Sequence, residues 1–187
     1  MHRDLQRILF SEETIVSGID RVAGEITRVY EGSEFTVVSV LKGSCIFAAD
    51  LIRRIPIPLQ LAFVCASSYA NGTSPGDLDL SLFPTGPEIR GQRLLLVDDI
   101  LDSGRTLSVV CEELLSRGAL EVRTCVFLDK PSRRQVPIHP DFRVFDVEDL
   151  FVVGYGLDYG GHYRNLPYVG ALRPEIHQVP PGSAGGR

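Results

Sequence analysis

The spacing of apolar residues near the start of the chain predicts a long amphipathic helix. Apolar side chains recur at alternating steps of four and three residues, at Ile15, Ile19, Val22, Ile26 and Val29. This spacing places them on one face of a helix. Ser11 is a suitable N-cap for that helix, which is expected to end near Gly32.

Short runs of apolar and β-branched residues predict strands that alternate with further helices. The predicted strands cover residues 35–41, 59–66, 93–97, 122–128 and 151–155, and the further helices cover residues 43–54 and about 107–118. Such an alternation is typical of an α/β fold in which helices cover a mostly parallel sheet.

Residues 67–91 break the pattern, because they are polar, rich in glycine and proline, and weakly periodic. A stretch of this kind inside a compact domain is either a functional lid or a disordered insertion, and the alternative is a surface hairpin; the residues alone do not decide between them. Residues 179–187 form a low-complexity tail that we expect to be mobile. Residues 1–178 are expected to form one domain.

Composition narrows the class of protein. The formal net charge of −5 argues against a nucleic-acid-binding protein, which usually carries a basic patch. No apolar run reaches the roughly 18–20 residues of a membrane helix, and acids come too early for a secretory signal. No C-x-x-C pair is present, so the cysteines are expected to be buried, reduced thiols of a soluble cytoplasmic protein. They are Cys45, Cys65, Cys111 and Cys125.

The segment from Leu94 to Thr106 carries the most informative chemistry. An apolar strand ends in Asp98 and Asp99, and Asp102 and a Ser-Gly-x-Thr loop follow before the next helix. Such a loop offers backbone N–H groups and hydroxyls to a phosphate, while carboxylates accept hydrogen bonds from ribose hydroxyls and help to hold Mg²⁺. The alternative is that the acid pair caps a loop and that Asp102 is the helix N-cap. Packing does not require two adjacent acids after a buried strand, so the phosphate and sugar site is favoured.

The same segment carries a family resemblance. Residues 97–106, VDDILDSGRT, resemble the phosphoribosyl-pyrophosphate-binding motif of type I phosphoribosyltransferases. Four other segments resemble the 6-oxopurine branch of that family, the hypoxanthine(-guanine) phosphoribosyltransferases: residues 40–44, 67–69, 128–134 and 151–159. The likeness runs in order from about Ile8 to Leu172.

The resemblance implies both a fold and a reaction. The fold would be a mostly parallel twisted sheet flanked by helices, with a small hood formed by the terminal segments. The reaction would transfer the 5-phosphoribosyl group from phosphoribosyl pyrophosphate to hypoxanthine and/or guanine with Mg²⁺ present, giving IMP or GMP and pyrophosphate for purine salvage. A homodimer or homotetramer is also implied.

The resemblance assigns roles to residues around phosphoribosyl pyrophosphate. Asp98 and Asp99 would hold the ribose hydroxyls and, with Asp158, the metal. Asp102 lies where the family has its proposed general base for the proton on purine N7. The family's 5′-phosphate loop, pyrophosphate loop and pyrophosphate-binding arginine correspond here to Ser103, Gly104, Arg105 and Thr106, to Lys42 and Gly43, and to Arg164.

On the purine side, Lys130 resembles the lysine that donates to the exocyclic O6. Phe151 corresponds to the aromatic residue that stacks on the base, and Val152 and Asp158 lie where the family contacts the base edge. Without the resemblance, Lys130 would be interpreted as a solvated lysine in a charged loop and Phe151 as part of a strand core.

Ser68 and Tyr69 correspond to the Ser-Tyr pair of the family's flexible loop, so the resemblance favours a lid over residues 67–91. A lid has a clear purpose here, because water easily intercepts an oxocarbenium-like transition state.

The chain departs from the branch at two places. Asp98 stands where relatives usually have glutamate, which shortens one carboxylate side chain by a methylene, and Gly160-Gly161 replaces bulkier residues before Arg164.

Three other functions compete with this one. Phosphoribosyltransferases for orotate, uracil or adenine are disfavoured by Lys130, but xanthine remains open as a substrate. A nucleotide-sensing regulator with the same fold is disfavoured by the retained Asp102, Asp158 and Arg164. A Rossmann dehydrogenase is disfavoured because the glycines from Gly154 to Gly160 have the wrong spacing and precede no predicted helix.

Overall fold

The computed structural model describes residues 1–68 and 78–177. Its strands are β1 (Leu5–Phe10), β2 (Thr36–Leu41), β3 (Gln60–Ser68), β4 (Leu78–Leu82), β5 (Arg93–Leu101), β6 (Glu121–Asp129), β7 (Phe142–Asp146), β8 (Val152–Val153) and β9 (Val169–Leu172). Its helices are α1 (Glu12–Tyr30), α2 (Cys45–Ile52), α3 (Gly86–Ile89), α4 (Arg105–Ser116) and α5 (Pro174–His177), with a 3₁₀ turn at Pro131–Arg133. Within these ranges, no helix combines the length and the apolar character that crossing a membrane needs.

The strands form two sheets. The larger has the order β4-β3-β2-β5-β6-β7, and all its neighbours pair in parallel except β3 and β4. The connection from β2 to β3 passes through α2, and the connection from β5 to β6 passes through α4. The predicted α/β fold with a mostly parallel sheet flanked by helices is confirmed.

Strand β5 lies near the middle of the larger sheet and contributes to a hydrophobic core on each face. Leu95 and Val97 belong to the core that includes α1 and α2, whereas Leu94 and Leu96 belong to the core that includes α4. This alternation follows from the two-residue period of a strand. An uninterrupted apolar run is therefore what a central parallel strand requires.

Helix α1 confirms the helical prediction from the apolar spacing. The Ser11 side chain accepts a hydrogen bond from the Thr14 backbone N–H at 3.2 Å, which caps the helix as expected. Val29 is an exception, because it is 43% exposed. Its predicted place in the core is taken by Tyr30, whose ring stacks on Phe35 with the centroids 4.1 Å apart.

The smaller sheet is antiparallel and has the order β1-β9-β8. It is built from the two ends of the described chain, as the predicted hood requires. The predicted strand over residues 151–155 is wrong in length and in sheet, because only Val152–Val153 is a strand and it pairs with β9. Gly154 and Tyr155 have φ angles of 99° and 50°, which lie outside the β region and end the strand.

The second half of the predicted lid over residues 67–91 contains regular secondary structure, and the lid itself stays a prediction. Strand β4 pairs antiparallel with β3, α3 follows, and Ile89 is fully buried in the core beside α4. Leucines alternate with polar residues over residues 78–82, as in a strand, but sequence reasoning missed this short pattern among the surrounding glycines and prolines. Ser68 is the last residue of β3, whereas Tyr69 and the predicted tail, residues 179–187, lie outside the described residues.

The four cysteines are free thiols, as predicted, but only Cys125 is fully buried. Cys65 and Cys111 are partly buried, and the expectation is wrong for Cys45, which is exposed at the first residue of α2. Burial raises the pKa of Cys111 to about 12, so this thiol stays protonated and unreactive at neutral pH.

Two glycines of α1 give a matched test of how closely this helix packs. A Cβ atom on Gly18 would lie 2.6 Å from side-chain atoms of Phe145 and Val144, whereas one on Gly24 would meet only the end of Arg28 at 4.0 Å. Gly24→Ala should raise the free energy of unfolding by about 0.5–1 kcal/mol through helix propensity. Gly18→Ala should lower it by about 1–2 kcal/mol, because overpacking outweighs that gain. Urea unfolding of both variants measures the difference, and a shift of the same sign in both would contradict the packing described.

Candidate active site

Asp98 and Asp99 lie inside β5, near its carboxyl end, and not in a loop after it. The strand continues to Leu101, so the alternative in which the acid pair only caps a loop is wrong. Each carboxylate accepts a hydrogen bond from the next backbone N–H, at 2.9 Å in both cases. The two side chains are thereby fixed at the carboxyl end of a central strand, where open α/β sheets bind their ligands.

Burial and proximity shape the electrostatics of this pair. Burial raises the pKa of Asp98 well above its usual range, and the adjacent charge of Asp99 raises it further. Burial also raises the pKa of Asp99, against the opposing effects of its hydrogen bonds and of the Arg164 guanidinium. The pair therefore favours a ligand that brings positive charge or hydroxyl donors.

The next segment along the chain, residues 103–106, has the form of a phosphate-binding loop, and we call it the phosphate cradle. Helix α4 begins at Arg105, and its N-cap is Gly104 with a φ of 88°. A Cβ atom at Gly104 would also lie 2.7 Å from Ile138 Cγ2, so glycine is required on both grounds. Asp102 is therefore not the helix N-cap. Ser103, Gly104 and Thr106 line the cavity next to the acid pair, whereas the exposed Arg105 side chain does not.

The loop after β2 closes tightly against this edge. A Cβ atom on Gly43 would lie 1.6 Å from Asp99 Oδ2, and one on Gly156 would lie 2.1 Å from the Gly43 carbonyl oxygen. The loop after β2, the end of β5 and the segment around Gly156 thus meet so closely that no side chain fits at Gly43 or Gly156. Sequence reasoning missed Gly156, although the Gly154-x-Gly156 spacing was visible. The predicted Lys42 is exposed and does not line the cavity, and its peptide bond to Leu41 is cis.

Arg164 and Asp158 form one side of the cavity. Arg164 Nη2 lies 2.7 Å from Asp158 Oδ1, and Arg164 Nη1 donates to the Gly156 carbonyl at 2.6 Å. The Gly161 backbone N–H donates to Asp158 Oδ2 at 2.8 Å. The glycine pair before Arg164 therefore lets the chain turn back and hold Asp158, which explains why small residues stand there.

Two cavities meet at the end of β5. The first, of about 330 Å³, is lined by the acid pair, the phosphate cradle, Asp158 and Arg164. The second, of about 560 Å³, is lined by Lys130, Phe151 and Val152. Both cavities share the same four lining residues, Asp99, Ile100, Asp102 and Asp158. The arrangement suits a ligand with a charged part and a flat, less polar part.

The second cavity has a cationic donor and an open aromatic face. Lys130 is only 6% exposed, and its Nζ donates to the Leu150 carbonyl at 2.8 Å. The alternative of a solvated lysine is therefore wrong. Phe151 is 39% exposed and lies just before β8, so the strand-core interpretation is wrong as well. Val152 is buried in β8, which holds its backbone at the cavity wall.

Asp102 lies between the two cavities. Its Oδ1 atom is sealed from solvent and has no hydrogen-bond partner within the described ranges. Arg133 Nε is 3.6 Å from this oxygen, close enough for an ion pair but not for a hydrogen bond. The Asp102 side chain as a whole is 41% exposed and lines both cavities, so the carboxylate can meet a proton on a ligand through its other oxygen.

Several lining residues were not predicted. Ile100 lies between Asp99 and Asp102 in the sequence and lines both cavities. Leu157 and His177 line the second cavity. Ile100 lies inside the predicted motif and could have been found there. His177 carried no sequence signal, because its position depends on the pairing of β9 with β1.

The carboxylates of the first cavity offer oxygen donors to a cation. Across residues 1–68 and 78–177, no three His, Cys, Asp or Glu side chains converge closely enough to hold a metal ion alone. Asp98, Asp99 and Asp158 nevertheless line one cavity with hard oxygen donors. This set fits Mg²⁺, which is usually held by one or two carboxylates together with waters and substrate phosphates.

Comparison with known proteins agrees with this geometry. The phosphoribosyl transferase domain family matches residues 6–160. The bifunctional protein TilS/HprT of Listeria innocua is 44% identical over 178 residues, which is 95% of this chain and 27% of that protein. The hypoxanthine-guanine phosphoribosyltransferase of Bacillus subtilis is 40% identical over 179 residues, covering 95% of this chain and 99% of that one.

A solved structure extends the likeness to three dimensions. Hypoxanthine phosphoribosyltransferase from Trypanosoma cruzi, in complex with the product IMP, is 37% identical, with a TM-score of 0.88 over 95% of this chain and 99% of that chain. The present chain thus spans about a quarter of the Listeria relative and nearly all of the other two. With its sheet order, acid pair and phosphate cradle, the chain belongs to the type I phosphoribosyltransferase family and to its hypoxanthine(-guanine) branch.

Proposed function

We propose that this chain transfers the 5-phosphoribosyl group from phosphoribosyl pyrophosphate to hypoxanthine and/or guanine, giving IMP or GMP and pyrophosphate, as a step of purine salvage. The observation that carries the proposal is the junction of two cavities at β5, one with acids and a phosphate cradle and one with a buried lysine and an open aromatic ring. The names of the Bacillus subtilis and Trypanosoma cruzi relatives support it. We also propose a cytoplasmic location, on the family resemblance alone.

The first cavity is proposed to bind phosphoribosyl pyrophosphate. The backbone N–H groups and hydroxyls of residues 103–106 would hold the 5′-phosphate at the positive end of α4. Asp98 and Asp99 would accept hydrogen bonds from the ribose hydroxyls, and the Arg164 guanidinium and the loop at Lys42 and Gly43 would contact the pyrophosphate.

We propose Mg²⁺ as the cofactor, with Asp98, Asp99 and Asp158 as its carboxylate contacts. These three side chains do not converge on one point, so waters and substrate oxygens would supply the rest of the coordination. When bound, it would neutralise charge on the pyrophosphate and so improve the leaving group. The residues of the chain would keep the ribose and phosphate in place while this happens.

Asp102 is proposed to be the general base. In the transfer, a purine ring nitrogen forms a bond to the ribose C1′, the bond from C1′ to pyrophosphate breaks, and the imidazole proton leaves the base. Asp102 lines both cavities, and its Oδ1 atom accepts no hydrogen bond among the described residues. It can therefore take this proton without first breaking an existing hydrogen bond.

Lys130 is proposed to select 6-oxopurines. Its Nζ carries three N–H donors, one of which is used by the Leu150 carbonyl. A 6-oxo group would accept from another, whereas a 6-amino group would leave a buried ammonium facing a donor. Phe151 would stack on the base, and the backbone of Val152 would contact its edge.

Initial rates with phosphoribosyl pyrophosphate, Mg²⁺ and each of hypoxanthine, guanine, xanthine and adenine test the function. We expect turnover of hypoxanthine or guanine, with kcat/KM for adenine lower by about a thousandfold or more, because the 6-amino group of adenine would place a donor, not an acceptor, against the Lys130 ammonium. No turnover of any 6-oxopurine would contradict the proposed function. A preference for adenine would contradict the role of Lys130 alone.

Asp102→Asn tests the general base. The substitution keeps the shape of the side chain but removes its basicity, so kcat for the forward reaction should fall by about a hundredfold or more. Binding of phosphoribosyl pyrophosphate, measured by calorimetry, should be nearly unchanged. Asp146→Asn is the matched control, since Asp146 is an exposed aspartate on β7 that pairs with Arg143. An unchanged kcat in Asp102→Asn would show that Asp102 is not the base.

We further propose a homodimer or homotetramer, which the resemblance implies. Leu61 and Phe63 project from the same face of β3 and are 41% and 39% exposed, whereas the alternating Ala62 and Val64 are buried on the other face. Neighbouring exposed apolar side chains on one sheet face suit contact with a second copy of the chain.

Phe63→Glu tests this assembly. A buried charge at the contact should shift the sedimenting species from oligomer towards monomer, as measured by analytical ultracentrifugation. Leu120→Glu is the control, because Leu120 is an equally apolar and 63% exposed residue outside β3. A monomeric wild-type protein, or an equal shift in both variants, would contradict the proposed contact.

A further inference from the structure

The wall of the second cavity, which is proposed to bind the purine, contains a residue that the proposed reaction does not use. His177, at the end of α5, lines the cavity together with Lys130, Phe151 and Asp158. Its imidazole ring stacks on the Phe151 ring, with centroids 4.8 Å apart and an interplanar angle of 20°. An aromatic pair in this geometry is attractive beyond the area that it buries.

A second ring contact fixes the plane of Phe151. The Tyr159 ring meets it edge-on, with centroids 5.4 Å apart and an interplanar angle of 88°. Phe151 nevertheless remains 39% exposed. One face therefore carries the imidazole, one edge carries the tyrosine, and open ring surface is left towards the cavity.

The turn that carries His177 is itself anchored to the start of the chain. The Arg173 backbone N–H donates to the Asp4 carbonyl at 3.0 Å, and Arg173 Nε donates to the Arg3 carbonyl at 3.0 Å. Ile176 packs against the small core of Leu5, Val153 and Leu172. The turn that carries His177 is thus anchored to the three-stranded sheet, which keeps the imidazole beside Phe151.

We propose that His177 is a positioning residue for the purine, which acts by stacking on one face of Phe151 and fixing the plane of the ring whose open face receives the base. The inference rests on the proposed function, in which Phe151 stacks on the purine. A flat base gains most from stacking when the partner ring is already oriented, because binding then does not have to order that ring. His177 is expected to affect binding of the base alone, since it does not line the first cavity.

Steady-state kinetics of His177→Ala, His177→Leu and His177→Phe test the proposal. In the Ala and Leu variants, KM for hypoxanthine should rise about threefold to tenfold, the range expected for loss of one aromatic pair. Both kcat and KM for phosphoribosyl pyrophosphate should stay within twofold of wild type. His177→Phe should restore KM for hypoxanthine, because it keeps a stacking ring.

Glu175→Ala is the matched control, because Glu175 is exposed on the same turn and lines neither cavity. An unchanged or lowered KM for hypoxanthine in His177→Ala would overturn the proposal, the lowered value indicating that the ring obstructs the base. An equal rise in Glu175→Ala, or a parallel rise in KM for phosphoribosyl pyrophosphate, would also overturn it by showing general damage to the turn.

Calorimetric binding of IMP separates this inference from the proposed function. IMP affinity should fall by the same factor in His177→Ala as the rise in KM, and should recover in His177→Phe. A wild-type protein that binds IMP without turning over hypoxanthine would contradict the function while leaving the stacking test intact. Equal IMP affinity in all variants would overturn the role of His177.

Discussion

Strand β5 is buried on both faces, and the positions of the cores and of the site depend on it. Its apolar residues alternate between two hydrophobic cores, and its neighbours β2 and β6 pair with it in parallel. The strand cannot slip by one residue without exchanging the side chains that face the two cores. Asp98 and Asp99 continue the same strand, so their placement inherits this fixed register. Packing thus sets the position of two carboxylates whose burial is itself unfavourable.

The proposed binding of a polyphosphate by a negatively charged chain needs an explanation. The net charge of −5 argues against extended partners such as nucleic acid, but it says little about a small anion. The phosphate cradle works with backbone N–H groups, which carry no formal charge and add no desolvated cation to the core. Arg164 is tied to Asp158 and the Gly156 carbonyl, so its planar fork is already oriented. Asp98, Asp99 and Asp158 add to the negative charge of the chain, and in the proposed function they belong to the binding site.

Local sequence patterns predicted the local features well. The helical spacing of α1, the apolar run of β5 and the loop from Ser103 to Thr106 each depend on neighbouring residues, and all three lie where expected. The errors concern long-range pairing. Strands β1 and β9 are short and weakly patterned, and β4 lies in a stretch rich in glycine and proline. His177 matters only through distant partners, for which a single sequence gives no signal. The glycine spacing around Gly156 was visible, but the close approach to Gly43 that requires it was not. The catalytic and binding roles assigned to individual residues stay predictions.

The pairing of β1 with β9 has a consequence for the order in which the molecule can assemble. Leu5 pairs with Leu172, so the small sheet closes a loop that contains nearly the whole chain. Closing such a loop is entropically costly and slow compared with local pairing. During synthesis from the amino terminus, β2 to β7, the acid pair and the phosphate cradle are all available before residue 169 has been added. The first cavity can therefore take shape early, whereas the second cavity, which is proposed to recognise the base, is completed only when β9 has been added.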